Sequence, residues 1–196
     1  MEAFKKEHPD ANITATFFIN GGYFSQPEYN EKILRWLIDN GYDVGNHTLN
    51  HADLTTTTYE ETEEQVGYMY ELLEDVIPGE YVNIVALPYG SPYDYNADNM
   101  KAVYTATYNG KTYTTKAAMQ VAWKPNESPF STDYQSDFIK RCRAYDNNGE
   151  NFDITYNFNI LETNRYISDG DPDTIVIPET EKDYIGQTYD KEVKTY

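Results

Sequence analysis

The sequence predicts an α/β fold built on parallel strands. Two observations carry that reading. Three runs rich in β-branched and aromatic residues, ITATFFIN (13–20), YDVGNH (42–47) and NIVALPYG (83–90), alternate with segments whose apolar residues recur at helical spacing. Each run also ends where a strand breaks or where chemistry can begin: Gly21-Gly22, His47 and Pro88-Tyr89-Gly90. Strand–helix–strand order implies crossover connections and a parallel sheet. In such folds ligands gather at the C-terminal strand ends.

The elements follow in order. ITATFFIN is a buried strand closed by the glycine pair. EYNEKILRWLIDN (28–40) places Ile33, Leu34, Leu37 and Ile38 on one helical face, with Gly41 as the C-terminal cap. YDVGNH is a short strand that delivers His47 to its C-terminal end. Thr58 and Glu61 form a capping box, and the helix after them runs to Val76-Ile77 and stops before Pro78. NIVALPYG is the third strand. ADNMKAVYTA (97–106) is a short helix. Asn109-Gly110 between alternating residues marks a hairpin. TKAAMQVAW (115–123) is a strand, DFIKRCRAY (137–145) reads equally as strand or short helix, NNGENFD (147–153) is a loop, and TIVIP (174–178) is the last strand. Residues 181–196 form a polar, peripheral tail. No repeat and no linker divides the chain.

Composition narrows the function classes. Asp and Glu total 33 against 15 Lys and Arg, so the net charge of -18 repels nucleic acid and anionic membranes. A neutral or cationic partner such as a glycan or an amino sugar suits this surface, although solubility alone accounts for most of the charge. No apolar run approaches the ~20 residues of a membrane span, and MEAFKKEHPD holds no signal-peptide core. Cys142, the single cysteine, excludes an internal disulfide and a cysteine zinc site; its context reads as a half-buried strand. The twenty tyrosines offer stacking surface for sugars, or simply replace phenylalanine at partly wet positions.

His47 and His51 stand four residues apart in GNHTLNHADL (45–54), after a glycine and at a strand's C-terminal end. On a helical turn both imidazoles face one way, which suits two ligands of one metal ion. The alternative is two surface histidines sharing a turn by chance.

ATFFING, a helix, NGYDVGNHTLNHADLT, a second helix and a strand ending LPYG together resemble the polysaccharide deacetylase family (NodB homology, carbohydrate esterase family 4). GNHTLNH is similar to that family's His-Ser/Thr-x-x-His metal motif, with Thr48 in the Ser/Thr place. LPYG is similar to its Arg-x-Pro-Tyr-Gly motif, with Ala86 where arginine is usual. The resemblance covers residues 1–95. The later half is similar to a less typical branch.

The resemblance implies a distorted (β/α) barrel with a glycan groove, formed by a domain over residues 1–180. It implies a divalent metal, zinc with cobalt or nickel as alternatives, held by His47, His51 and an aspartate. It implies hydrolysis of acetyl groups on an acetylated polysaccharide such as chitin oligomers, peptidoglycan or xylan, in the cell envelope or outside the cell. The Tyr89 backbone N–H matches the family's oxyanion donor, and Pro88, Tyr89 and Trp123 line the substrate groove; a core role for Trp123 competes with that reading.

Two departures accompany the resemblance. The family's Thr-Phe-Asp-Asp strand, with its base and third ligand, is expected upstream of Met1, so the barrel is expected to lack its first strand. The late Leu-x-His that supplies the acid is replaced around Pro178, and His8 reads as a surface residue. Asp10, Asp43 and Asp53 are the carboxylates nearby, and Asp53 is the candidate substitute, unless it is a turn residue. Arg141 and Arg143 can replace the charge missing at Ala86, or sit solvated on a strand edge. A glycan-binding module without turnover is the competing function.

Overall fold

The structure, a computed structural model, describes residues 2–7, 9, 14–122, 124–143, 145–150 and 153–196. The chain forms two compact units, Met1–Met119 and Gln120–Tyr196. The boundary falls inside a strand and at no linker.

The first unit opens with α1 (Glu2–Glu7) and β1 (Thr16–Ile19). It continues through α2 (Asn30–Asp39), β2 (Asp43–Asn46), α3 (Tyr59–Val76), β3 (Ile84–Ala86) and α4 (Asp98–Tyr104). The antiparallel hairpin of β4 (Thr105–Tyr108) and β5 (Lys111–Thr114) follows, then β6 (Ala117–Val121). Strands β1, β2, β3 and β6 lie side by side, each neighbouring pair parallel. Their C-terminal ends therefore share one edge, where residues 20–22, 47–54 and 87–91 emerge.

Local signals explain the elements. Leu34 and Leu37 of α2 are buried, and Gly41 continues the chain at φ 76 beyond the helix end. The Thr58–Glu61 capping box is present on α3. Asn109 and Gly110 both take positive φ, as a tight hairpin turn demands. Ile19, Leu34, Leu37, Tyr42, Val44, Met69, Leu73 and Ile77 make a core cluster between the helices and the sheet. On α3, Gly67 lets β4 approach: a Cβ there would lie 2.4 Å from the Cβ of Tyr108. Alanine favours a helix by about 0.5–1 kcal/mol over glycine, but overpacking costs about 1–3 kcal/mol. We predict that Gly67→Ala lowers stability in urea unfolding by about 1–2 kcal/mol; a stabilised variant would show that hairpin and helix can separate.

The second unit starts at the end of β6, where the Ala122 N–H donates to the Arg141 carbonyl of β7 (Phe138–Arg141). It holds α5 (Ile154–Asn164) and a parallel pair, β8 (Thr174–Ile177) with β9 (Glu192–Thr195). Four sequence readings change here. Within DFIKRCRAY, Phe138–Arg141 form a strand, and Cys142 just beyond it is exposed, not half-buried. Helix α5 was not foreseen: ITYNFNILETN is poor in strong helix formers, and the helix starts because the buried Asp153 carboxylate accepts the Tyr156 N–H at 2.8 Å. The third strand is shorter than NIVALPYG, because Pro88–Gly90 wind into a 3-10 turn. TIVIP is not the last strand: the tail supplies β9, held by backbone pairing and carrying no apolar pattern.

Candidate active site

The histidine loop is braced by hydrogen bonds to β1 and α3. The His47 N–H donates to the Ile19 carbonyl at 2.8 Å, which continues the β1–β2 ladder. Asn46, fully buried, donates from Nδ2 to the Val66 carbonyl of α3 (2.9 Å) and accepts the Thr48 N–H at Oδ1 (2.9 Å). Gln65 of α3 takes the Leu49 N–H on its carbonyl and the Asn50 N–H on Oε1, both at 2.9 Å. The Gly21 N–H donates to the Leu49 carbonyl at 2.8 Å, and a Cβ on Gly21 would meet that oxygen at 2.8 Å and Leu49 Cδ1 at 2.5 Å. Glycine is therefore required where the first strand turns beneath the loop.

This bracing holds a strained backbone. Thr48 and His51 lie at φ 66 and 54, and Tyr89 on the neighbouring turn at φ 56. A non-glycine residue in that region costs about 1–3 kcal/mol and persists only where its surroundings over-determine it. Thr48 Oγ1 is buried with no hydrogen-bond partner among the described residues.

The strain brings three rings together. The His47 and His51 rings are 4.7 Å apart, centroid to centroid, at 88°, and the His51 ring stands 4.7 Å from the Tyr89 ring at 79°. His47 Nδ1 lies 2.5 Å from the Ala86 carbonyl, to which it donates, making Nε2 the lone-pair nitrogen. That arrangement is the usual support of a metal-ligating histidine. Two imidazoles on one tetrahedral ion, with bonds near 2.0–2.1 Å, put their centroids about 5 Å apart. The pair fits a divalent ion in spacing and donor chemistry. Among the described residues no group of three or more His, Cys, Asp or Glu is gathered where one ion could sit.

Pro88 is buried in the turn and Tyr89 is exposed beside His51. Asp53 Oδ1 accepts from the Thr55 N–H (3.0 Å), the Thr55 hydroxyl (2.6 Å) and the Ser91 hydroxyl. Ser91, then Thr55, hold its carboxyl below the usual carboxylate range. Asn99 of α4 donates to the carbonyls of Leu54 (2.6 Å) and Thr57 (2.8 Å), pinning the same loop. Ala86 is fully buried, so the position of the family's arginine carries a methyl group facing protein. Trp123, His8 and Asp10 lie outside the described residues. Arg141 and Arg143 belong to the second unit, where burial, then Arg143, pushes the half-buried Arg141 guanidinium down from its ordinary value.

The sequence reading missed Asn46, Gln65, Ser91 and Asn99. Asn46 and Gln65 carried a signal: one directly precedes the first histidine, and the other is a polar residue on the buried face of α3 between Thr62 and Val66.

A histidine pair and a Pro-Tyr-Gly turn thus meet at the C-terminal edge of a parallel α/β sheet, where such folds place their active sites. The polysaccharide deacetylase family model matches residues 9–110, just over half of the chain, and the chain belongs to that family. A chitooligosaccharide deacetylase from Sinorhizobium fredii is 30% identical over 78 residues, which are 40% of this chain and 35% of that protein. A peptidoglycan-N-acetylmuramic acid deacetylase from Bacillus subtilis is 32% identical over 60 residues, 30% of this chain and 21% of that protein. The chain thus matches about a third and a fifth of their lengths. A solved polysaccharide deacetylase from Bacillus cereus aligns with a TM-score of 0.50 at 22% identity, over 72% of this chain and 42% of that one. That likeness is one of fold.

Proposed function

We propose that this chain carries the metal-binding part of a hydrolase that removes acetyl groups from an acetylated polysaccharide at the cell envelope or outside the cell. The observation that supports it best is the meeting of His47, His51 and Tyr89 at the C-terminal edge of a parallel sheet. His47 and His51 would hold a divalent ion, zinc with cobalt or nickel as alternatives, which supplies Lewis acidity and a water of lowered pKa. His47 is kept in the ligating tautomer by the Ala86 carbonyl. The Tyr89 N–H is the oxyanion donor, and Pro88 and the exposed Tyr89 ring form a wall for the sugar. Chitin oligomers, peptidoglycan and xylan all suit that chemistry. No described helix is long and apolar enough to cross a membrane.

The base is the unfilled role in this reading. A missing general base costs roughly 10²–10⁴-fold, so acetate release from acetylated chitooligosaccharides is expected to be slow. What release there is should need zinc or cobalt, stop with chelator and be lost in His51→Ala. Release indifferent to chelator and to His51→Ala would overturn the reading. Buried Ala86, in place of the family's arginine, favours a second one: a module that binds glycan without turnover. Glycan binding by calorimetry with no acetate released would select it.

A further inference from the structure

We propose that Asp53 and Ser91 form a latch that positions Tyr89 over the histidine pair, and that Asp53 is a positioning residue of this site and not its base. The inference rests on the metal-site reading for its consequence and on geometry for its existence. His51 and Asp53 are two residues apart on one loop; Tyr89 and Ser91 are two residues apart on the other. The loops meet at two rungs, the edge-on contact of the His51 and Tyr89 rings and the hydrogen bond from the Ser91 hydroxyl to Asp53 Oδ1. Ser91 is fully buried, and its N–H is already spent on the Pro88 carbonyl at 3.0 Å, which closes the turn carrying Tyr89. Its hydroxyl ties the end of this turn to the histidine loop.

Asp53 Oδ1 is placed to receive hydrogen bonds that fix the orientation of its carboxylate. Three donors converge on Oδ1: the Ser91 hydroxyl and the hydroxyl and N–H of Thr55. That saturates the acceptor capacity of one carboxylate oxygen. The Thr55 bonds set the orientation of Asp53 within its own loop, and the Ser91 bond transmits it to the other. The ring contact joins two residues whose backbone lies in the left-handed region, His51 and Tyr89. Without the latch each loop can relax separately, and the Tyr89 N–H leaves its place beside the histidines.

Asparagine separates the two roles: Asp53→Asn keeps an Oδ1 acceptor for Ser91 and Thr55 but cannot take a proton. Ser91→Ala, Asp53→Ala, their double variant and Asp53→Asn should be compared with the wild-type chain. The readouts are the Tyr89 amide and His51 ring signals by NMR, zinc affinity by calorimetry and acetate release. The latch predicts that Ser91→Ala and Asp53→Ala both move the Tyr89 and His51 signals and break their mutual contact. Both should weaken zinc by about 10–100-fold, the cost of losing an outer-shell support, and the double variant should be no worse than either. Asp53→Asn should resemble wild type. Ser91→Ala with both signals in place would overturn the latch. Asp53→Asn as damaging to acetate release as Asp53→Ala, with Ser91→Ala harmless, would restore Asp53 as the base. Should Ser91→Ala not fold, the contrast of Asp53→Ala with Asp53→Asn decides. If the wild-type chain binds no zinc, the metal reading fails while the NMR comparison still settles the latch.

Discussion

His47→Ala is expected to abolish zinc binding by this chain, and His51→Ala to do the same. Among the described residues these two imidazoles are paired at the sheet edge, at 4.7 Å, and no third His, Cys, Asp or Glu joins them in a group. A two-donor site has no reserve: losing one ligand leaves a lone imidazole, which binds no better than a surface histidine. The wild-type affinity itself should be weak, and it should fall at acid pH, because proton and metal compete for the same lone pair. Calorimetry of the wild type and both variants is the check. Without metal, His47→Ala should melt somewhat lower, since it removes the donor to the buried Ala86 carbonyl, and His51→Ala should change little; both side chains are partly exposed and neither is part of the core cluster. Equal zinc binding by wild type and His47→Ala would sink the metal site.

Much of this was legible in the sequence, for identifiable reasons. Strands β1 and β2 and helices α2 and α3 follow from local rules: an apolar face at Leu34 and Leu37, a capping box at Thr58 and Glu61, and positive-φ residues at Gly41 and Asn109-Gly110. The histidine pair was legible because four-residue spacing beside a strand end is itself a physical arrangement. The details differ: Thr48 and His51 take left-handed backbone, so the pair converges through an irregular turn and not through helical register.

The bracing was not legible, because it depends on tertiary partners far apart in sequence. Ser91 reaches Asp53 across 38 residues, and Asn99 reaches Leu54 across 45. No period or cap announces such bonds. In the second unit, α5 and β9 are mostly exposed and carry little apolar pattern, so periodicity had nothing to detect. Of the tyrosines, Tyr70 takes a phenylalanine's place in the core and not at a partly wet position: it is buried, its hydroxyl pairs with Thr115 at 2.8 Å, and its ring stacks on Tyr113.

Asn46→Ala should damage both the fold and the site. Its side chain ties the start of the histidine loop to α3, beside the Gln65 bonds to Leu49 and Asn50, and it is fully buried. Truncation leaves the Thr48 N–H without its acceptor in a dry setting, at about 1–3 kcal/mol, and adds a small cavity. We expect a loss of about 2–4 kcal/mol in urea unfolding. The second effect is the more telling one. Thr48 sits at φ 66, and the Asn46 bond is what holds that backbone in place. Once it is gone, Thr48 can return to an ordinary conformation, and the 4.7 Å spacing of the imidazoles goes with it. Zinc binding should then be lost even at temperatures where Asn46→Ala is fully folded. Thr48→Gly tests the cause. Glycine accepts positive φ without strain, and the substitution removes a buried hydroxyl that has no partner among the described residues. Alone, Thr48→Gly should keep the histidine geometry and bind zinc; combined with Asn46→Ala it should recover part of the lost binding. If the double variant binds no better than Asn46→Ala, the strain at Thr48 is not what Asn46 restrains, and its role is confined to packing against α3.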